Sequence, residues 1–365
     1  MNKYYYYIIV LLIISIMKRS FFKKSTKESK LLYTGIYVDS PINIWFLKQI
    51  KKNNLSLDIK NNYLLNLKTK KRFYYKESFL LSETIADNKI TTSRLMKINN
   101  VPIPNFIIFN TKKDNFKILQ FKLNYYKLKY PLVLKPINGN NSTGVIIYIT
   151  NFESLKKQIK ILKETTFKKR QSQNVINKTE FIIEEFKYGD CYRIYMINDK
   201  IFDLYSRRQP IIIGNGKDKL DKLIKNYNNN QIKNKLNVVK NESIDLDLVK
   251  RQIDINKIIP KNKIVILINS SNTKSGGIKK VTKVSKIHKD NIELFKKIQK
   301  VSGLEINGID FITNDISKSW KEGNSFINEI NCKPGIRGHF TLNNLTDKIA
   351  KKYFDILKNE SSLWK

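Results

Sequence analysis

Three apolar runs, 181–186, 191–197 and 201–206, follow one another with only short turns between them. Neither turn has room for a crossover helix, so the runs read as a meander of antiparallel strands. A second pair of runs, 131–136 and 145–150, brackets the polar, glycine-bearing segment 138–144 and reads as a hairpin with a flexible tip. Further strands fall at 264–268 and around Asp310 and Glu329. Helix-like spacing occurs at 42–50, 90–99, 152–167 and 288–302, and more weakly through the polar stretch 214–260. Strand pairs and helices do not alternate regularly. The expected fold class is therefore α+β with several antiparallel sheets. The expected division is an apolar segment and basic tether at 1–30, a small N-terminal α/β lobe at 31–85, and a large domain at 86–362. That domain splits into subdomains near 86–185 and 186–362.

The charge is lopsided, with 69 Lys+Arg against 31 Asp+Glu for a net +38. A basic surface is the footprint of a phosphate-backbone binder. Here, however, the charge is lysine spread along the whole chain and mixed with Asn and Ile, without zinc-finger spacing, a stacking-aromatic motif or an Arg-rich arm. Compositional bias explains it better than nucleic-acid binding. Arginine is scarce, with nine in the chain, and Arg193, Arg207, Arg208 and Arg337 fall inside motifs. A chain that writes its bulk charge as lysine reserves arginine for planar recognition of phosphate or carboxylate. The only cysteines are Cys191 and Cys332, outside any C-x-x-C, which argues against a disulfide framework or structural zinc and for a cytoplasmic or other reducing compartment. Residues 4–17 are uncharged and apolar, then basic residues follow. The readings are a membrane anchor or membrane-surface segment, a buried first element, or an extension.

The chemistry concentrates in the run Phe326-Ile-Asn-Glu-Ile-Asn-Cys-Lys-Pro-Gly-Ile-Arg-Gly-His339 and in Asn307-Gly-Ile-Asp-Phe311. On a strand, Glu329 and Asn331 share one face. Asp310 can add a third oxygen to that face, and three such oxygens suit a hard cation such as Mg2+. Lys135 ends an apolar strand just before the glycine-bearing tip, where an ammonium can hold phosphate oxygens under backbone N–H groups. Glu184, Glu185 and Phe186 end another strand, where backbone groups can read an adenine edge.

In order, the chain reads Lys89, Lys135 with its glycine loop, Glu-Glu-Phe186, Gly-Asp190-x-x-Arg193, Arg207-Arg208, Asp310, Glu329-x-Asn331 and Arg337. In that order and spacing it resembles the ATP-grasp fold of carboxylate–amine ligases. The likeness is to the ATP-grasp module of cyanophycin synthetases and its relative in bifunctional glutathione synthetases. It covers some nine-tenths of the chain. The resemblance implies two α+β subdomains gripping ATP. Lys89 and Lys135 would bind its phosphates under a lid that includes Gly139, Asn140, Ser142 and Gly144. Glu184, Glu185 and Phe186 would flank adenine, with Asp190 near the ribose. Asp310, Glu329 and Asn331 would ligate two Mg2+ ions, with Mn2+ as a substitute. Arg193 and Arg208 would stand near the transferred phosphoryl group, and Arg337 near it or a substrate carboxylate.

The implied reaction is amide or peptide bond formation on a small amino acid or peptide. The substrate carboxylate takes the γ-phosphoryl group to give an acyl phosphate and ADP, and an amine then displaces phosphate. A homodimer is compatible with the resemblance. The alternatives are a catalytically silent nucleotide-binding module, or a polyanion or membrane-surface binder reusing the fold. One segment departs from the family: Ile268-Asn-Ser-Ser-Asn-Thr-Lys-Ser-Gly-Gly-Ile278 lacks the arginine and aspartate that relatives carry on the acceptor side, and Lys279, Lys280 and Lys283 follow it. Substrate identity is therefore open. No counterpart of the Mur-ligase-like half of cyanophycin synthetases follows, so the expected product is not a polymer made by two alternating sites.

Overall fold

The computed structural model describes residues 30–31, 36–37, 41–58, 63–74, 86, 88–137, 142–165, 178–234, 238–269, 277–323, 325–332, 334–360 and 363. Within them lie sixteen strands and nine α-helices. The α+β expectation holds, and the strands pair antiparallel throughout.

The N-terminal part holds β1 (Lys30–Leu31), β2 (Ile36–Tyr37), α1 (Pro41–Lys52) and a three-stranded meander of β3 (Leu55–Asp58), β4 (Tyr63–Asn66) and β5 (Arg72–Tyr74). α2 (Lys89–Ile98) follows, started by Asn88, whose side chain accepts from the N–H groups of Ile90 and Thr91. The next subdomain is a four-stranded sheet. It contains β6 (Phe106–Asn110), β7 (Leu132–Pro136), β8 (Ile146–Ile149) and β9 (Glu180–Glu185) in the order β6-β9-β7-β8. One face carries Ile107, Leu132, Leu134, Phe181 and Ile183 and is covered by α3 (Phe116–Tyr125) and α4 (Phe152–Glu164). Strand alternation turns Val133 and Lys135, Ile182 and Glu184 to the other face.

β10 (Asp190–Ile197) and β11 (Lys200–Arg208) form the hairpin expected at 191–206. They do not pair with β9, because the turn at 186–189 carries the chain into a second sheet. That sheet adds β14 (Ile278–Thr282), β15 (Ile306–Thr313) and β16 (Phe326–Asn331) in the order β14-β11-β10-β15-β16. Between β11 and β14 sits an insertion with its own core. It consists of β12 (Ile211–Ile213), α5 (Leu220–Lys233), α6 (Leu246–Gln252) and β13 (Ile264–Ile266). α6 places Leu248 against Val133 and Ile147, so the insertion packs on the first sheet.

α7 (Lys289–Ser302) covers the apolar face of the second sheet through Leu294, Phe295 and Ile298. Its end is a left-handed Gly303, which closes a helix without Cβ strain. α8 (Arg337–Leu342) and α9 (Asp347–Asn359) complete the chain. Phe46 of α1 packs on Phe340, Tyr353 and Phe354. The N-terminal lobe thus shares one core with the last two helices. α3, α8 and α9 were not anticipated from the sequence.

One expectation is corrected. Among the described residues, no helix is long and apolar enough to cross a membrane. The segment 4–17, on which a membrane anchor rested, lies outside the described residues.

Phe354 is fully buried where the N-terminal lobe meets α9. Phe354→Ala should cost about 3–5 kcal/mol, measured by urea unfolding. A loss below about 1 kcal/mol would show that the two parts do not share a core.

Candidate active site between the two sheets

On the open face of the first sheet, Lys135 Nζ stands 2.8 Å from Glu184 Oε1, with both side chains only 9% exposed. The register explains the pair: Val133 faces Glu184, so Lys135 is its diagonal neighbour across β7 and β9. Lys89 connects this sheet to the other. Its backbone N–H donates to Ile137 O, 3.4 Å away, just past β7. Its ammonium lies 3.9 Å from Glu329 Oε1 on β16. The turn between sheets is held by Glu185. Its Oε1 accepts from the N–H of Lys129 at 3.1 Å, and its Oε2 pairs with Lys187 at 2.7 Å. Burial pushes this carboxyl upward, but those partners outweigh it and hold it below its usual value. Phe186 follows, edge-on to Tyr148 and Tyr188.

On the second sheet, Asp310 is the centre. Its Oδ1 accepts from Arg193 Nε at 2.5 Å and lies 2.7 Å from Arg207 Nη2, and its Oδ2 accepts from Arg193 Nη2 at 3.0 Å. Arg193 faces Asp310 directly across β10 and β15, and Arg207 reaches it from one strand further. Burial pulls the Asp310 carboxyl upward, but the two guanidinium groups overcome this and hold it below the ordinary carboxylate value. Gly308 makes room for this packing. A Cβ there would stand 2.7 Å from Pro334 and 3.4 Å from the Arg193 guanidinium. Cys191 shares the face and accepts from Arg207 Nη2 at 3.4 Å. Burial raises its thiol to about 11, so it stays protonated near neutrality and is a poor nucleophile.

Glu329 lies opposite Asp310 in the β15–β16 register, and Asn331 lies opposite Gly308. The three oxygen-bearing side chains expected to hold a cation thus share one face. The Asn331 amide nitrogen donates to Gly308 O at 3.4 Å, which leaves its carbonyl oxygen available. Among the described residues, no group of three His, Cys, Asp or Glu side chains is arranged to hold a metal ion. A cation here would depend on the Asn331 amide and on oxygens from a ligand. The donor set is all oxygen, which fits a hard cation. The local charge is unfavourable, however, because Arg193, Arg207 and Lys89 surround just two carboxylates, Asp310 and Glu329.

Other expected residues lie elsewhere. Arg208 is half exposed and ion-paired to Asp190, both on the sheet face opposite Arg193. Alternation along β11 puts Arg207, not Arg208, beside Asp310. Arg337 begins α8. Ser142 and Gly144 flank the β7–β8 tip in left-handed conformations, whereas Gly139 and Asn140 lie outside the described residues. The site expectation omitted Lys279, whose ammonium sits 5.6 Å from the Tyr205 ring centre, and the His339–Asp203 pair. Strand parity would have separated Arg207 from Arg208 in the sequence. Nothing local foretold His339.

The first sheet thus presents the Lys135–Glu184 pair and the second the Asp310, Glu329 and Asn331 face, with Lys89 in contact with both. The profile of the ATP-grasp domain matches residues 128–200, which run from just before β7 to the first residue of β11. The chain is similar to the cyanophycin synthetase of Trichormus variabilis, with 27% identity over 266 residues, covering 71% of this chain and 28% of that protein. It is also similar to the glutathione biosynthesis bifunctional protein of Clostridium perfringens, 27% identical over 293 residues, 78% of this chain and 35% of the relative. The chain therefore spans about three-tenths of the length of the curated relatives it matches. Among solved structures, the bifunctional glutathione synthetase from Pasteurella multocida aligns with a TM-score of 0.47 at 18% identity, over 81% of this chain and 40% of that one.

His339 is fully buried, with Nδ1 2.9 Å from Asp203 Oδ2. Burial lowers its pKa from the ordinary 6.5, against the opposing pull of Asp203. The unfolded chain takes up this proton at a higher pH than the native protein does. The stability His339 contributes is therefore complete above about pH 6.5 and is lost as pH falls below it. The urea midpoint should drop between about pH 7.5 and pH 5.5, and His339→Asn should flatten that dependence. An equal slope in the variant would show that another group is responsible.

Proposed function

We propose that this chain is an ATP-dependent carboxylate–amine ligase acting on a small amino acid or peptide. The observation that carries this reading is Lys89, which ties the end of β7 to Glu329 and so brings the lysine-bearing sheet against the Asp310 face. The likeness to cyanophycin synthetases and to a glutathione biosynthesis protein supports it.

In this reading Lys135 and Lys89 hold the nucleotide phosphates. Glu184, Glu185 and Phe186 border the base at the turn between sheets. Asp310, Glu329 and Asn331 would hold Mg2+, which supplies charge neutralisation on the phosphoryl oxygens. The substrate carboxylate attacks the γ-phosphorus, the bond to the β–γ bridging oxygen breaks, and ADP leaves. The amine then attacks the acyl carbon, phosphate departs and a proton is lost from nitrogen. Arg193 and Arg207 stabilise charge on the oxygens in flight, which is the larger part of catalysis when no protein nucleophile takes part. We assign that role to Arg207 rather than Arg208, because Arg207 shares a face with Asp310.

ADP release, followed by mass spectrometry for amide products across a panel of amino acids and short peptides, tests the reading. Lys135→Ala and Glu329→Gln should each lower turnover by a factor on the order of 10² or more. Saturable ATP binding without ADP release for any acid–amine pair would instead favour a silent nucleotide-binding module.

A further inference from the structure

The carboxylate expected to serve a cation is already engaged. Asp310 is 3% exposed and has three guanidinium contacts on its two oxygens. Its two partners are not equivalent. Arg193 grips Asp310 as a fork, through Nε and Nη2. Arg207 contacts it through Nη2 only, the same nitrogen donates to the Cys191 thiol, and its buried Nε has no hydrogen-bond partner. Arg207 is therefore the looser partner and has an unused donor. A divalent cation approaching Asp310, Glu329 and Asn331 would meet two unit positive charges within a few ångströms, with Lys89 beside Glu329. A polyphosphate reverses that balance, because its oxygens are better bidentate acceptors for a guanidinium than half a shared carboxylate.

We propose that Arg207 is a latch on Asp310 that a polyphosphate releases, so that a divalent cation enters the site with a nucleotide and not alone. The phosphate oxygens draw the Arg207 guanidinium away. The Asp310 Oδ1 lone pair that it occupied becomes free for the cation, while Arg193 keeps its grip and holds the carboxylate in place. Metal and nucleotide then strengthen each other's binding by equal factors. The latch rests on the nucleotide-binding reading of the cleft, but its electrostatic half can be tested without nucleotide.

The probe is Mn2+, followed by electron paramagnetic resonance of the free ion on the full chain. Wild-type protein should bind Mn2+ alone weakly. Arg207→Gln should bind it tighter by a factor on the order of ten or more. Arg207→Lys, which keeps the charge, should stay weak. Glu329→Gln added to Arg207→Gln should abolish the gain, which assigns the ion to this site. Unchanged Mn2+ affinity in a folded Arg207→Gln protein overturns the latch. If that variant does not fold, the wild type decides. Water-proton relaxation should report Mn2+ binding at least about tenfold tighter with the imido analogue of ATP than with adenosine, which has no phosphates. Equal affinities overturn the proposal. Calorimetry of the imido analogue with and without Mn2+ separates the two readings. If the analogue never binds, the nucleotide reading falls, whereas the Arg207→Gln comparison with Mn2+ alone still decides the latch.

Discussion

Three strands of the second sheet converge on the Asp310 carboxylate. β15 supplies it, β10 brings Arg193 directly opposite, and β11 adds Arg207 from one strand further. Such a buried charge cluster is costly to assemble, because each ion loses its water. Once it is assembled, removing one member leaves an uncompensated buried charge, at a cost of about 3–5 kcal/mol. A slip by one residue would turn Asp310, Arg193 and Arg207 out of reach of one another.

The surrounding structure follows from that requirement. Gly308 has no side chain, so Arg193 and Pro334 can occupy the space beside it. α8 lays His339 against Tyr205 and Tyr195, and Asp203 accepts its hydrogen bond. This closes the end of the face beyond Arg207 with the His339–Asp203 pair, while the buried His339 Nε2 has no hydrogen-bond partner. On the back of the sheet, Ile194, Ile309, Phe311 and Phe295 make a plain apolar core. One face of the sheet is thus built for stability and the other for charge, as strand alternation allows.

The first sheet repeats the division. α3 and α4 cover one face with aliphatic and aromatic contacts, and the other carries the Lys135–Glu184 pair. The insertion of β12, α5, α6 and β13 rests Leu248 on Val133 and Ile147, beside the β7–β8 tip. Lys187 sits over the Phe326 ring at 4.5 Å and joins the turn between sheets to β16. The two halves therefore meet through side chains at the turn and at Lys89.

The sequence by itself determined the strands and helices of the two central sheets that carry the candidate residues, because apolar alternation and helical spacing are local properties. It also singled out Lys135, Glu184, Asp310, Glu329 and Asn331 as candidates, since each stands at a strand end or on a shared strand face. It misjudged the pairing of β9 with β10: a short turn constrains direction, but it does not say whether the chain stays in the same sheet. It named Arg208 where the fold offers Arg207, because two adjacent arginines have the same composition and opposite sides. α8, α9 and the burial of His339 were decided by tertiary structure alone, for those residues gain their stability from the N-terminal lobe's Phe46 and from β11, both distant in sequence. The engagement of Asp310 by two guanidiniums was likewise a tertiary outcome. Three strands from separate parts of the chain must align before those charges can find one another.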